Sequence, residues 1–407
     1  MAITRRQFLG SVVSTPAVGA LLTRPATGGG DDPLGVRSDF PIVQEKIYLN
    51  SAYIAPCPVA VTQAGCAFLE AKTRRPISLE QMLEKTDEVR GQFARLVGVS
   101  PDEIGFLSST SEGENIVVGS LGLKPGDNVV VDDLHYSTSY ALYRHLESSR
   151  GVELRIAKNR DGRVTGEDLA PLMDKRTRLV SVAWVSHQNG FCHDMKGLAE
   201  LAHSQGAFLY ADAIQAIGMF PIDFKETGVD FLASGTYKWL LAGFGTAPFY
   251  VRGELLDRIR PDRIGHMHIE KALPDYRYEF AKAAKKFEYA TLSFVSIYQL
   301  GASLAYLDRV GVQRIASHTI PLAGELRKGL VERGFQVFTP DQNASSIVTF
   351  FNPQPLEVVS KILEEARVEV SFRDNGAQIR VGVALFNNPS EIGQFLEIAG
   401  KFGPQRP

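Results

Sequence analysis

The chain has 407 residues, 44% of them hydrophobic and 22% charged, with a formal net charge of −2. That length suits a large domain with a smaller companion, and the apolar share is enough for cores that fold without staples. A charge near zero, with no long basic run and no interleaving of basic and aromatic residues, gives no footing for a nucleic-acid partner. Cys57, Cys66 and Cys192 are odd in number and match no zinc spacing, so they read as separate thiols, with one disulfide as the alternative, and no metal site is expected.

Residues 1–30 stand apart. Arg5-Arg6-Gln7-Phe8-Leu9 precedes a weakly apolar stretch from Ser11 to Leu22, and glycines follow at 28–30. Paired arginines, then Phe-Leu, then a short apolar region resemble a twin-arginine export signal. The stretch is too short to stay in a bilayer as a spanning helix. The expectation is a periplasmic or otherwise exported protein, with no membrane contact in the mature form; a basic tail is the alternative. Residues 31–60 read as an N-terminal arm.

From residue 61 to 290 apolar runs alternate with helical patterns. Strands are predicted at Glu103–Leu107, Asn128–Val131, Glu153–Ala157, Leu179–Val185, Phe208–Ala211, Phe231–Ser234 and Ala247–Val251. Most are β-branched and nearly continuous in apolar character, the pattern of strands buried on both faces. Lys124-Pro125-Gly126-Asp127 and Asn159-Arg160-Asp161-Gly162 supply turns between them, and Met195–Ser204 is one of the intervening helices. The prediction is an α/β domain with a mainly parallel seven-stranded sheet. Residues 291–407 read as a small α+β domain. Its helices are predicted at Val295–Val310, Val312–Arg333, Leu356–Ala366 and from Ser390. Its strands are predicted at Gln336–Thr339, Ser346–Phe351, Val368–Phe372 and Gln378–Val383.

Four segments carry chemistry. Thr110 and Ser111 open a helix after a strand, where hydroxyls and free backbone N–H groups favour a phosphate; Ser111-x-x-Glu114 is also a capping box, the stronger reading of this segment alone. Asp212 and Gln215 lie at a strand end, where ligands of open α/β sheets bind; the rival is an ordinary N-cap. Lys238 follows Ser234-Gly235-Thr236-Tyr237. An ordinary lysine pKa of about 10.4 leaves it protonated, and only a desolvated site near other positive charge makes it a Schiff-base amine; a solvated surface lysine is the rival. Arg380 sits in an apolar strand and needs either a substrate carboxylate or a structural acid.

Asp212-x-x-Gln215 followed by Ser-Gly-Thr-Tyr-Lys238-Trp-Leu and a Gly-rich turn resembles the class V aminotransferase family of pyridoxal 5'-phosphate (PLP) enzymes. That family includes cysteine desulfurases, kynureninases and isopenicillin N epimerases. The resemblance runs from about residue 45 to 400. It implies PLP-dependent transferase fold type I. Lys238 would carry the cofactor and move protons, Asp212 would pair with the pyridinium nitrogen, and Gln215 would approach the ring hydroxyl. Thr110 and Ser111, helped by Thr236 or Tyr237, would hold the phosphate. Tyr136 would stack on the ring, with His135 the alternative. His187 or Asn189 would meet cofactor or substrate, Tyr53 would border the substrate, and Arg380 would grip an amino-acid carboxylate. Thr291, in Phe287-Glu288-Tyr289-Ala290-Thr291, would reach the phosphate of a partner subunit, which implies a homodimer.

One departure bears on the reaction. Desulfurases carry a nucleophilic cysteine on a loop shortly before the Arg380 position, whereas here Ser371–Ala377 is short and has none. The expected enzyme acts on an amino acid or derivative by removing the Cα proton, as epimerase, lyase or transaminase, with the isopenicillin N epimerase-like branch nearest and an aminotransferase or desulfurase proper as an alternative. Two rivals remain. A nicotinamide-nucleotide enzyme lacks its Gly-x-Gly-x-x-Gly here. An exported binding protein without catalysis would have little reason to keep Lys238, Asp212 and Arg380 together.

Overall fold

The seven apolar runs between residues 103 and 251 become one sheet. The computed structural model describes residues 31–404, so the twin-arginine segment lies outside the described residues. The chain enters through β1 (Ile47–Tyr48), α1 (Val59–Arg74) and α2 (Leu79–Leu96). Then β2 (Ile104–Leu107) leads to α3 (Thr110–Leu121), β3 (Asn128–Asp132) to α4 (Ser137–Arg150), and β4 (Glu153–Ala157) to α5 (Gly166–Leu169). β5 (Thr177–Ala183) leads to α6 (Met195–Ser204), and β6 (Phe208–Asp212) to α7 (Phe224–Thr227). β7 (Phe231–Ala233) and β8 (Ala247–Val251) complete the sheet. A hairpin, β9 (Ile269–Leu273) and β10 (Arg277–Phe280), precedes α8 (Phe294–Val310) and α9 (Val312–Glu332). β11 (Ile347–Phe351), α10 (Leu356–Glu365), β12 (Val368–Glu369), β13 (Ser371–Arg373), β14 (Gln378–Gly382) and α11 (Pro389–Gly400) finish the chain.

The large sheet has strand order β2-β8-β7-β6-β5-β3-β4. Its pairings are parallel except at β8, which runs against β2 and β7. Thus β2 to β7 all point their carboxyl ends at one edge. β2, β3, β7 and β8 are buried along their whole length, which is why they read as unbroken apolar runs: helices cover both faces. α3 lies close on the sheet because residue 113 is glycine; a Cβ there would stand 2.6 Å from the Ala233 Cβ. α8 packs on α1 and α2, and its buried Ile297, Leu300 and Leu304 join the core of the large sheet.

A second sheet, β11-β14-β13, is antiparallel and has its own core, with Leu326, Phe350, Ile379, Val381 and Phe395 fully buried. The N-terminal arm ties to this part: β1 pairs with β12 in parallel, and Asn50 bridges to Gly382.

Three sequence expectations shift. Gln336–Thr339 keeps a single bridge, Val337 to Phe350, because the N–H groups of Phe338 and Thr339 both turn onto the Thr349 carbonyl and end the ladder. Val368–Phe372 divides at Val370, one part pairing with β1 and the other with β14. The predicted Leu179–Val185 starts at Thr177 and stops at Ala183. No helix of the described residues is long and apolar enough to cross a membrane, and the three cysteines are free.

Candidate active site

At the carboxyl edge of the large sheet, the strand-end loops close around a cleft of about 750 Å3, counting space open to solvent. Lys238 lies there, 8% exposed, and its Nζ has no hydrogen-bond partner among the described residues. Its pKa is pushed down to about 7, first by burial and then by the charge of Arg380, with Asp212 pulling the other way. The loop that presents it is fixed at both ends. The Gly235 N–H donates to Thr110 Oγ1 at 2.9 Å, and the Leu241 N–H closes a turn on the Lys238 carbonyl at 2.8 Å.

Asp212 ends β6 and is buried at the cleft, its Oδ1 accepting the Ile214 N–H at 3.0 Å. Burial raises its pKa, while His135, the Ile214 hydrogen bond and Lys238 hold it back. Gln215 also lines the cleft. Its Nε2 donates to the Ala52 carbonyl at 2.8 Å and its Oε1 accepts from Trp239 Nε1 at 2.7 Å, so it straps the N-terminal arm to the lysine loop. Thr110 and Ser111 form the first turn of α3, capped by the Ser109 hydroxyl. Their backbone N–H groups precede the first intrahelical acceptors and face outward.

Tyr136 and His187 line the cleft with their rings edge to face, 5.0 Å apart at 82°. His187 is held neutral: burial, then the charges of Arg373 and Arg380, drive its pKa well below the usual range. Its Nδ1 has no hydrogen-bond partner among the described residues. His135 lies behind Tyr136, fully buried, with Nε2 3.0 Å from Ser181 Oγ. Tyr237 lines the cleft and stacks on Phe244 at 4.5 Å and 20°.

Arg380, on β14, is 2% exposed. Its Nη1 donates to the His187 carbonyl at 2.6 Å and its Nη2 to Ser371 Oγ at 3.1 Å, while Nε has no partner. No carboxylate among the described residues pairs with it. Burial, then repulsion from Arg373, brings its pKa down to about 9.

Two residues named from the sequence, Thr236 and Asn189, turn away from the cleft, and two others, Thr291 and Tyr53, lie outside it or at its rim. Thr236 does not face the cleft; its hydroxyl turns to the carbonyls of Gly243 at 2.6 Å and Thr246 at 3.0 Å, which leaves no proton for a phosphate. Asn189 also turns away, donating to the Gly162 carbonyl at 2.7 Å and accepting the Phe191 N–H at 3.0 Å, so it shapes the loop that carries His187. Thr291 is exposed and outside this chain's cleft. Tyr53 is 57% exposed and stands at the rim, close enough for its hydroxyl to act on the charge of Arg373 and Arg380.

Two residues at the site went unread. Glu114 does not serve the capping box expected with Ser111, because the actual cap lies two residues earlier, at Ser109 and Glu112. Glu114 turns inward instead and accepts from Ser139, Tyr143 and Ser181 at 2.7 to 2.8 Å. Arg373 is the other, and its only signal in the sequence was a basic residue in the loop that lacks a cysteine.

An unpartnered amine of lowered pKa, a buried carboxylate, and a hydroxyl-rich helix start in one cleft define an α/β enzyme fitted to a phosphorylated pyridine cofactor. The chain belongs to the class V aminotransferase family: the family model matches residues 47–388. It is a PLP-dependent enzyme of fold type I. A probable cysteine desulfurase of Methanothermobacter thermautotrophicus is 30% identical over 392 residues, covering 90% of this chain and 98% of that one. An uncharacterized aminotransferase of Bacillus subtilis, YcbU, is 28% identical, covering 91% and 98%. The structure of an apo cysteine desulfurase from Thermococcus onnurineus NA1 superposes with a TM-score of 0.83 at 26% identity, covering 92% of this chain and 99% of that one.

Proposed function

We propose that the enzyme moves the Cα proton of an amino acid or close derivative, with Lys238 as the covalent anchor of PLP and the proton carrier. When bound, PLP supplies an electron sink for charge left at Cα. Lys238, with its pKa brought to about 7, is near the point where an amine both takes and returns a proton at neutral pH. Asp212 is placed to hold a ring nitrogen in its protonated form, and Gln215 keeps one N–H for the ring hydroxyl. Thr110, Ser111 and the start of α3 bind the phosphate. Tyr136, His187 and Tyr237 wall the cleft against water. Arg380, buried without an acid, holds the substrate α-carboxylate in bidentate fashion. Tyr53 borders the same space.

The observation that carries this reading is the meeting of Lys238, Asp212 and the α3 start in one cleft beside an unpaired Arg380. Desulfurases are among the relatives, but the cleft of this chain favours proton chemistry over a persulfide on a chain cysteine. No cysteine lines the cleft, and burial pushes the Cys192 thiol up to about 12, where it is not a thiolate. Epimerisation in the manner of the isopenicillin N epimerase-like branch, β-elimination and transamination all begin with the same proton removal.

Loaded with PLP and incubated with amino acids in deuterated water, the enzyme is expected to exchange the Cα proton, followed by proton NMR. Lys238→Ala should abolish exchange; exchange at an undiminished rate in that variant would overturn the assignment. The products then separate the three branches. Two further readings belong here. The order Arg5-Arg6-x-Phe8-Leu9 supports export through the twin-arginine route, tested by fractionating cells that express the full chain. The exposed Thr291, standing outside its own cleft, supports a homodimer, tested by light scattering.

A further inference from the structure

Arg373 and Arg380 lie on one face of the small sheet. In the β13–β14 ladder Ser371 stands opposite Arg380, and Arg373 opposite Gln378. Side chains two residues apart share a face, as do directly opposed ones, so the two guanidinium-bearing residues are diagonal neighbours. That face meets the strand-end loop of the large domain, where Arg380 donates to the His187 carbonyl and Thr349, the β11 partner of Arg380, donates to the Gln188 carbonyl. Arg373 is only partly exposed and has neither hydrogen bond nor ion pair among the described residues. The nearby groups that favour its charge are the hydroxyls of Tyr136 and Tyr53, not a carboxylate. Arg373 also bears on Lys238 and His187. The substrate side of the site thus holds Lys238, Arg373 and Arg380, with Asp212 as their counter-charge and the phosphate-binding hydroxyls away at the start of α3.

One α-carboxylate neutralises one arginine. Two diagonal guanidinium groups that repel each other and share no acid are costly unless a ligand brings a charge for each. We infer that the substrate carries a second anionic group besides its α-carboxylate, a carboxylate or an acid of similar charge, and that Arg373 binds it at the rim beside Tyr53 and Tyr136. This rests on the assignment of Arg380 to the α-carboxylate, and it makes Arg373 the residue that selects acidic over neutral amino acids.

The test avoids turnover. Succinate, glutarate and butyrate lack an amine and report carboxylate recognition alone. Calorimetric titration into the PLP-loaded enzyme should show succinate or glutarate binding about 10- to 100-fold more tightly than butyrate, the size of one added charged contact. Arg373→Gln should bring the dicarboxylates to the butyrate level and leave butyrate itself unchanged. Arg373→Lys should keep part of the preference, and Arg380→Gln should weaken all three. Equal binding of dicarboxylates and butyrate by the unaltered enzyme overturns the inference, and is what a carboxylate from a second copy already seated on Arg373 would produce. Equal weakening of both classes by Arg373→Gln also overturns it, showing both arginines on one carboxylate. Borohydride fixation of PLP on Lys238 is scored separately in each variant, so failure of the cofactor assignment is distinguishable from failure of the second anion site.

Discussion

Two buried arginines of this enzyme meet opposite fates. Arg90, 6% exposed on α2, is answered by Glu288: Nη1 to Oε1 at 2.6 Å and Nη2 to Oε2 at 3.3 Å, with Nη1 also donating to the Ile104 carbonyl. Glu288 in turn accepts the Phe106 N–H at 2.7 Å, and the guanidinium sits 5.1 Å over the Phe106 ring. Arg380 is more deeply buried and has no acid. Glu288 raises the pKa of Arg90 against its burial, whereas that of Arg380 falls to about 9. The first arrangement is closed and joins α2 to β2; the second is open and awaits an anion. A buried cation completed from within belongs to the fold, and one left incomplete belongs to the ligand.

The largest effect that sharpens this contrast is on Glu288→Ala. It leaves the buried Arg90 with only the exposed Asp87, 3.2 Å from Nε, and should cost about 3 kcal/mol, measured as a shift of the urea midpoint. Next comes pH. Lys238 holds its proton less tightly folded, at about 7, than unfolded, at 10.5. Below pH 7 both states are protonated and the burial penalty is fully present. Between pH 7 and 10 the unfolded chain holds the extra proton, so the stability of the cofactor-free protein should rise with pH. Lys238→Met should flatten that rise. Thr236→Val removes a hydroxyl that braces the Gly243–Thr246 turn and should cost about 1–2 kcal/mol with little change in phosphate affinity; a large loss of PLP binding without loss of stability would return Thr236 to the phosphate. The smallest effect is on Arg380→Met, expected to change ligand-free stability by under about 1 kcal/mol because the two hydrogen bonds lost are offset by removal of a buried charge that no acid balances, while carboxylate binding is lost. A drop as large as that of Glu288→Ala would erase the distinction between the two arginines.

Most of the sheet was legible because strands such as β3 and β8 are buried on both faces and read as unbroken apolar runs. The hairpin β9–β10 was not, since its residues are half or fully exposed and no buried face imposes an alternation. Lys238, Asp212, Gln215, Tyr136 and His187 were named and do share the cleft, as the strand-end rule requires. Thr236 and Asn189 were misplaced for one reason: a hydroxyl or amide beside a site is also what a tight loop needs to satisfy its own carbonyls, and spacing does not separate the two. Glu114 was hidden because Ser-x-x-Glu and Ser109-x-x-Glu112 overlap with the same spacing. Arg373 was hidden because its partner across the ladder and the strand-end loop come from distant parts of the chain.

Lys238 is the residue through which cofactor and proton chemistry meet. Reducing the PLP-loaded enzyme with borohydride and mapping peptides by mass should find the cofactor fixed on Lys238, and the yellow absorbance of the bound cofactor should be missing in Lys238→Ala. Reduced cofactor on another lysine, with Lys238 unmodified, would contradict the account.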